Sequence, residues 1–321
     1  MRRPVHHYFP LVLLTIASPG LLQAHTVSTA PVGYRTNTIP AGNTAYAPSF
    51  VHADSFVSNI SSLTESGTNT IVTLSDATLT ASAYNEGSSY PAYYLEITQS
   101  GDKEGYVFDI ISNTASSVTV SSLLSSGFSL AGTESVVIRK HMTVGDVFSG
   151  STDSLTAYSD SVKFFNDDGS ITTLYWDGLQ WTPDFSTNHS AKPVYPGEGF
   201  LTSFAGSVNL TVSGHVKTTK TRVPVYAGLV NLVGSMAPSD SDIDCFNCQS
   251  TFQAYSDSLK VVSQDGNFST QGTYYSDGSA MTRDFATNHG AESFSGHNAA
   301  LFSVGSDTYI ICDEGYTGGG N

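Results

Sequence analysis

Apolar and polar residues alternate with a period of two along much of the chain, and no long stretch shows the 3.6-residue period of an amphipathic helix. The alternating runs are short, rich in Val, Ile, Thr, Tyr and Phe, and separated by Gly, Asn, Asp and Ser. This pattern predicts antiparallel strands joined by tight turns, and therefore an all-β fold of sandwich or barrel type. The clearest predicted strands are 70–74, 93–98, 106–111, 118–120 and 136–140.

An internal repeat organises the chain. Self-similarity of this kind predicts two copies of one folding unit, packed about an approximate twofold axis. The second copy carries three extra residues between its matching segments. The matching segments are AYSDSVK at 157–163 with AYSDSLK at 254–260, Asp168-Gly169 with Asp265-Gly266, and DFSTNH at 184–189 with DFATNH at 284–289.

The repeat has a weaker front end, because residues 38–43 resemble residues 222–231 and an Ala-Pro pair follows each. The first copy is therefore predicted to be interrupted by the strand-rich segment between these two parts. Two related antiparallel β units, the first carrying an inserted β subdomain, follow as the predicted architecture. The predicted segments are a signal peptide at 1–24, β unit one at 25–55 and 142–213, the inserted β subdomain at 56–141, and β unit two at 214–321.

The repeated hexamer allows two interpretations. An Asp and a His five residues apart could form a catalytic or metal site, with Asp184 and His189 as its members. Alternatively, Asp, Thr and Asn close turns through side-chain hydrogen bonds to the backbone. The turn interpretation is favoured, because a catalytic pair is usually kept in one copy and lost from the other. Phe185 and Phe285 are then candidates for the core.

The first residues have the layout of a secretory signal peptide: two Arg, an apolar run at 9–17, a break at 18–20, and Ala24 as the cleavage position. No later segment approaches the ~20 apolar residues of a membrane span. We therefore expect a protein outside the cytoplasm, secreted or at the cell surface, with the periplasm as an alternative. The net charge of −15 makes nucleic acid an unfavourable partner.

Signatures of common catalytic sites, such as a nucleophile elbow, HExxH or a Walker loop, are missing. The feature most suggestive of binding is the cluster Tyr175, Trp176 and Trp181, which holds both Trp residues of the chain. In the second copy Ser276 and Met281 replace the two Trp. The cluster predicts either a sugar-stacking platform or ordinary core packing, and core packing is favoured.

The acidic stretch before residue 245 suggests cation binding. Asp240, Asp242 and Asp244 have the i, i+2, i+4 spacing of calcium loops. The loop lacks the Gly of an EF-hand at its sixth position, where Cys245 stands, and has Thr251 in place of the bidentate Glu. An irregular calcium site and a solvated acidic loop remain as alternatives.

The three cysteines offer more than one pairing. Cys245 and Cys248 form a CxxC in a chain predicted to be exported, and a local disulfide between them is favoured. Pairing of one of them with Cys312 is the alternative. A redox motif is not favoured, because the preceding acidic residues would raise the pKa of the thiols.

Five segments occur in a characteristic order: PVGY at 31–34, residues 93–120, IRKHMTVGDVF at 138–148, PGEGF at 196–200 and VPVYAGLVNLVG at 223–234. Together they resemble a family of exported hypothetical proteins found mainly in verrucomicrobia and their relatives. The resemblance covers most of the mature chain and depends on the order of the segments. It implies export and a β architecture, and it supplies no activity and no catalytic residues. The second unit departs from it, with SGHNA at 295–299 where the first has PGEGF.

Three functional hypotheses follow. The first is a secreted, non-catalytic structural or adhesive protein, whose partners are extracellular polysaccharide or other surface proteins. The second is a carbohydrate-binding protein that uses the aromatic platform. The third is a glycan-acting hydrolase with acidic residues and His189 in its site. No cofactor is expected apart from the calcium alternative.

Overall fold

The computed structural model describes residues 31–312, except positions 86 and 88. The predicted signal peptide lies outside the described residues. The all-β prediction, with two related antiparallel units and an inserted β subdomain, is confirmed. The domain boundaries within this architecture stay a prediction. The described chain begins with β1 (Val32–Ile39) and β2 (Gly42–Tyr46).

The next six strands close into a barrel. Alternate residues of its strands point inward, and Val72, Leu95 and Ile110 are completely buried there. A β-bulge between Ile60 and Ser62 divides β3, so its first part pairs with β8 and its second with β4. Such a bulge bends a strand and helps a sheet to close. The strands are β3 (Asp54–Ser66), β4 (Asn69–Leu74), β5 (Tyr93–Ile97), β6 (Val107–Asn113), β7 (Ser117–Val120) and β8 (Ser135–Lys140).

The chain then completes unit one. Helix α1 (Val144–Phe148) follows Thr143, whose side chain caps the helix in a capping box with Asp146. The five strands β12-β11-β10-β14-β2 form one sheet, and β1-β15 and β13-β9 form two small ones. A 3-10 turn spans Thr152–Ser154. The strands are β9 (Met142–Thr143), β10 (Ser161–Phe165), β11 (Ile171–Trp176), β12 (Trp181–Thr182), β13 (Pro193–Val194), β14 (Phe200–Phe204) and β15 (Val208–His215).

Unit two repeats this arrangement without a barrel. Its five-stranded sheet has the order β21-β20-β19-β23-β17, and β16-β24 and β18-β22 are its small sheets. Two 3-10 turns, Ile243–Phe246 and Cys248–Ser250, follow β18. The strands are β16 (Thr221–Val225), β17 (Asn231–Gly234), β18 (Ser241–Asp242), β19 (Ser258–Val262), β20 (Thr270–Ser276), β21 (Met281–Thr282), β22 (Ser293–Phe294), β23 (Ala299–Ser303) and β24 (Thr308–Cys312).

The two five-stranded sheets match strand by strand, and the repeat determines their register. Ser161 opposes Tyr175 in unit one, and Ser258 opposes Tyr275 in unit two. Each unit encloses its own core, and a smaller apolar cluster lies where the two sheets meet. The units therefore pack through the faces of their main sheets.

Equivalent positions of the two units touch at this contact. A Cβ on Gly199 would lie 2.5 Å from the Cβ of Ala299. The strand pairing makes Ala299 the counterpart of Gly199, one residue away from the alignment of PGEGF with SGHNA. A Cβ on Gly234 would lie 2.3 Å from the Cβ of Ala47, its counterpart in unit one. Contact between a residue and its own counterpart is expected next to a twofold axis. At both places one Gly makes room for one Ala.

A buried ionic network joins the barrel to the connection between the units. Glu96 on β5 forms ion pairs with Arg139 on β8 and with Lys217, which follows β15; Lys217 Nζ lies 2.6 Å from Glu96 Oε1. Glu96 and Lys217 are almost completely buried. Burial would raise the pKa of Glu96, but the charges of Lys217 and Arg139 outweigh this effect and hold it below its usual value. The Glu96 oxygen also accepts a hydrogen bond from Thr219 at 2.6 Å.

His297, at the contact between the units, has a lowered pKa. Burial, together with the positive charge of Arg35, lowers the pKa of His297 from 6.5 to about 4. The ring lies 6.4 Å from that of Tyr46, and Nδ1 is 2.8 Å from the Ser295 hydroxyl. Between pH 4 and pH 6.5, His297 therefore binds a proton in the unfolded chain and not in the folded chain.

We expect the free energy of unfolding to fall as the pH falls from about 6.5 to 4, and His297→Gln to remove part of this decrease. Urea unfolding of both proteins at pH 7 and pH 5 measures the effect. An unchanged pH dependence in the variant would show that His297 is not the responsible group.

Candidate functional site

The repeated hexamer forms the same tight turn in both units. In unit one the Asp184 carboxylate accepts hydrogen bonds from the backbone N–H groups of Ser186 (3.0 Å) and Thr187 (2.8 Å), and from the Thr187 hydroxyl (3.0 Å). These bonds lower the pKa of Asp184 far below its usual value, so the side chain is ionised. Phe185, inside the turn, has a left-handed backbone with φ of 59°.

The second copy reproduces this geometry. Asp284 accepts the N–H groups of Ala286 (3.0 Å) and Thr287 (2.8 Å), and the Thr287 hydroxyl (3.1 Å). Phe285 has φ of 57°. The Asp of the hexamer therefore bends the backbone, as the turn interpretation predicts.

The two His residues share a backbone role and differ in side-chain contacts. The backbone N–H of His189 donates a hydrogen bond to the Trp181 carbonyl at 2.8 Å, and that of His289 donates one to the Met281 carbonyl at 2.7 Å. His189 Nδ1 lies 2.6 Å from the Tyr90 hydroxyl, whereas His289 Nδ1 lies 2.6 Å from the Thr287 carbonyl. Neither ring hydrogen-bonds to the Asp of its hexamer, so the turns do not hold an Asp–His dyad.

The aromatic residue of each turn is exposed, and the prediction that Phe185 and Phe285 lie in the core is wrong. Phe185 is 48% exposed, and its ring centre lies 5.6 Å from that of Tyr158 and 5.4 Å from that of Tyr175. Tyr158 is 70% exposed. We call these three residues the unit-one aromatic cluster: Tyr158, Tyr175 and Phe185.

The unit-two aromatic cluster, Tyr255, Tyr275 and Phe285, has the same geometry. The ring centres of Tyr255 and Tyr275 lie 5.5 and 5.2 Å from that of Phe285, and their planes are inclined to the Phe285 ring by 41° and 36°. The corresponding angles in unit one are 44° and 32°. The outer ring, Tyr255, is largely exposed, like its counterpart. Each unit thus has three adjoining rings, of which two are exposed and the third, Tyr175 or Tyr275, is partly buried.

The backbone that carries these rings is energetically unfavourable. Tyr158 and Tyr255 have φ of 62° and 65°, also in the left-handed region. Bulky residues rarely adopt this conformation, which costs roughly 1–2 kcal/mol per residue. Four of the six cluster residues carry this cost, a feature that often marks functional sites.

A buried carboxylate stabilises each Tyr turn. Asp160 is completely buried and accepts the backbone N–H groups of Thr156 and Ala205, both at 2.7 Å. In unit two Asp257 accepts those of Gln253 (2.8 Å) and Gly305 (2.9 Å). The Asp of the AYSDS segment therefore holds the neighbouring Tyr in its strained conformation.

Stability measurements can test the strain at Phe185. Phe185→Gly and Phe185→Ala remove the same ring contacts, but only Gly relieves the positive φ. We expect the Gly variant to be more stable than the Ala variant by about 1 kcal/mol. At Val57, an exposed residue of β3, the order should reverse, because Gly weakens an ordinary strand. Urea unfolding of the four variants measures these differences. If Phe185→Ala were more stable than Phe185→Gly, the backbone at position 185 would not be strained.

Core packing, the favoured interpretation of Tyr175, Trp176 and Trp181, describes the two Trp residues, and the platform alternative does not hold for them. Tyr175 belongs to the unit-one aromatic cluster, but Trp176 and Trp181 are 7% and 1% exposed. The two indoles lie 5.7 Å apart in the core of unit one, where Trp181 also packs on Phe148. A sugar ring cannot stack on faces that the core already covers, so the two Trp do not belong to a surface platform.

The three Asp residues proposed for calcium do not converge. Asp240 forms an ion pair with Arg35 at 2.8 Å, and Asp244 accepts a hydrogen bond from Gln249 at 2.5 Å. Asp242 lies on β18. In the part of the chain that the structure describes, no group of three His, Cys, Asp or Glu side chains is arranged to hold a metal ion. Asp240, Asp242 and Asp244 therefore do not form a calcium-ligand set in this structure.

The predicted Cys245–Cys248 disulfide is absent, and the described residues contain no other disulfide. Cys248 lies in the core of unit two together with Cys312, while Cys245 packs against the edge of that core. Burial is the main cause that raises the pKa of Cys248. The two Cys of the CxxC therefore sit in different surroundings.

Tyr158 and Tyr255 were missed as candidate residues. Their sequence signal was the AYSDS repeat, in which a large aromatic stands among small and polar residues in both copies. Such a residue, in a turn-forming segment, is a candidate for exposure rather than for the core.

Comparison with protein-family models, curated proteins and solved structures gives no match to this chain. None of the helices within the described residues has the length and apolar character needed to cross a bilayer.

Proposed function

We propose that this chain is a secreted, non-catalytic adhesive protein that binds extracellular polysaccharide through its two aromatic clusters. The observation that carries the proposal is the duplication of a three-ring cluster in which two rings are exposed and stand on strained backbone. The hydrophobic cores do not need these rings, since Tyr158 and Phe185 are about half exposed or more. A surface kept in both copies at an energetic cost is best explained by a ligand.

The chemistry of the clusters suits sugar rings. A pyranose has an apolar face of C–H groups and a rim of hydroxyls. Phe185 offers an apolar ring face, while Tyr158 and Tyr175 combine a ring with a hydroxyl that can donate or accept a hydrogen bond. Tyr also gives a large contact area at a low cost in side-chain entropy.

The duplication favours a polymer over a single sugar. Two equivalent sites on one chain can hold two parts of the same polysaccharide, and the second contact then forms at a high effective concentration. Weak contacts at each cluster would in this way add to a useful affinity. A free monosaccharide gains nothing from the second site.

Sedimentation with insoluble polysaccharides and affinity electrophoresis with soluble ones test the proposal. The variants are Phe185→Gly, Phe285→Gly and the double variant, which keep the turn conformation while they remove the central rings. Val57→Ala, which trims an exposed residue of the barrel, is the matched control.

We expect the wild type and the control to bind at least one polysaccharide, each single variant to bind more weakly, and the double variant to lose binding. Binding of the double variant at the wild-type level would refute the proposal. Failure of the wild type to bind across a broad panel would also refute it.

A further inference from the structure

A cavity of about 490 Å³ lies where the barrel segment, unit one and unit two meet. Its volume is in the range of small-molecule sites, which often form between domains. All three parts of the chain line it, so the complete fold is needed to form it. Its main functional side chains are Tyr106 and Phe128 from the barrel segment, Glu198 from unit one, and Arg222 and Tyr309 from unit two.

One wall of the cavity is aromatic. The ring centre of Tyr106 lies 5.1 Å from that of Phe128 and 5.0 Å from that of Tyr309, both in edge-to-face arrangement. The Arg222 guanidinium lies 5.0 Å from the Tyr106 centre. This wall offers apolar ring surface to a planar or chair-shaped ligand, and the guanidinium lies over the Tyr106 ring.

Arg222 brings a positive charge without a fixed counter-ion. Its Nε donates to the Glu104 carbonyl at 2.8 Å. No carboxylate of the described residues forms an ion pair with it. A guanidinium presents paired N–H donors that match a carboxylate.

The acidic groups of the cavity have other surroundings. Glu198 accepts the Tyr195 N–H at 2.9 Å, and the charge of Lys192 acts on it; burial nevertheless raises its pKa. Asp167 is exposed at the edge. Neither Glu198 nor Asp167 forms an ion pair with Arg222, so the guanidinium is available to a ligand.

We propose that this cavity binds a small six-membered ring compound that carries a carboxylate. The ring packs on Tyr106, Phe128 and Tyr309, and the carboxylate pairs with Arg222. A sugar acid and an aromatic acid share this chemistry. The site is separate from the aromatic clusters, so each proposal can fail without the other.

Isothermal titration of the whole chain with glucuronate, benzoate and glucose tests this inference. We expect at least one of the two acids to bind, and glucose to bind at least about tenfold more weakly, because it lacks the charge. Binding of glucuronate alone identifies a sugar-acid site, and binding of benzoate alone an aromatic-acid site. Equal binding of glucose, or no binding of either acid, overturns the proposal.

Three variants assign the site. Arg222→Gln should weaken binding of the acid on the order of tenfold to hundredfold. Val230→Trp should abolish binding by filling the cavity from its partly exposed wall while leaving every charge in place. Lys140→Gln, which removes an exposed cation of the barrel, should bind like the wild type.

Thermal melts accompany the titrations. If Arg222→Gln does not fold, Val230→Trp decides. Wild-type affinity in a folded Arg222→Gln or Val230→Trp protein overturns the assignment, and loss of binding in Lys140→Gln shows a general charge effect and overturns it as well.

Discussion

Replacement of Glu96 by Gln is expected to lower the free energy of unfolding by about 3–5 kcal/mol. The change leaves Lys217 buried next to Arg139 without the carboxylate that both of them contact. Lys217 keeps its hydrogen bonds to Thr219 and to the Lys220 carbonyl, but its buried charge loses its counter-ion, and this accounts for most of the cost. Urea unfolding at pH 7 measures the effect.

The same network predicts an order among variants. Lys217→Met should cost less than Glu96→Gln, because Glu96 keeps its ion pair with Arg139. Arg283→Gln breaks a pair whose side chains are 42% and 37% exposed, and it should cost less than about 1 kcal/mol. An effect of Glu96→Gln as small as that of Arg283→Gln would mean that the buried network does not hold the barrel to the units.

Replacement of Gly234 by Ala is expected to lower the free energy of unfolding by about 1–3 kcal/mol through overpacking. The new methyl group would lie 2.3 Å from the Cβ of Ala47, and no other side chain is as close. Since both atoms sit directly on the backbone, the strands themselves must move. Ala47→Gly in the same chain should therefore restore most of the loss.

A double-mutant cycle over Gly234→Ala and Ala47→Gly isolates this contact. Gly206→Ala is the matched control, because a Cβ there meets nothing within 4 Å. A lack of coupling between positions 234 and 47 would contradict the packing of the two units through equivalent residues.

The repeat made much of the architecture predictable. Matching segments such as AYSDS occur in both copies because each copy must form the same turns, and Asp160 and Asp257 bind the same backbone positions. The order of strands within each sheet was not predictable, because it depends on contacts between residues far apart in sequence. The barrel could be predicted only as a set of alternating strands, since its closure requires β3 to pair with both β4 and β8, which is a contact between distant parts of the chain.

The candidate site was harder to predict because exposure depends on which face of a strand a residue occupies. Tyr175 and Trp176 are neighbours on β11 and must point to opposite sides of the sheet. One of them therefore belongs to the surface and the other to the core. The preference of large Trp side chains for the core favours burial of Trp176, which the structure has, but the sequence does not show that Tyr175 joins the rings of two turns.

Phe185 and Phe285 show the same limit for turns. A Phe flanked by Asp and a small residue could lie in the core or be exposed. The left-handed backbone at Phe185 and Phe285 directs both side chains toward solvent. This conformation follows from the bonds that Asp184 and Asp284 make with the residues after the Phe. The hexamer thus connects a structural turn to an exposed ring.

The number of binding sites per chain tests the central claim most directly. Isothermal titration with a soluble oligosaccharide of the polysaccharide that binds is predicted to give two equivalent sites for the wild type. Phe185→Gly and Phe285→Gly should each leave one site, and the double variant none. A single site in the wild type, or two sites that persist in the double variant, would contradict the account.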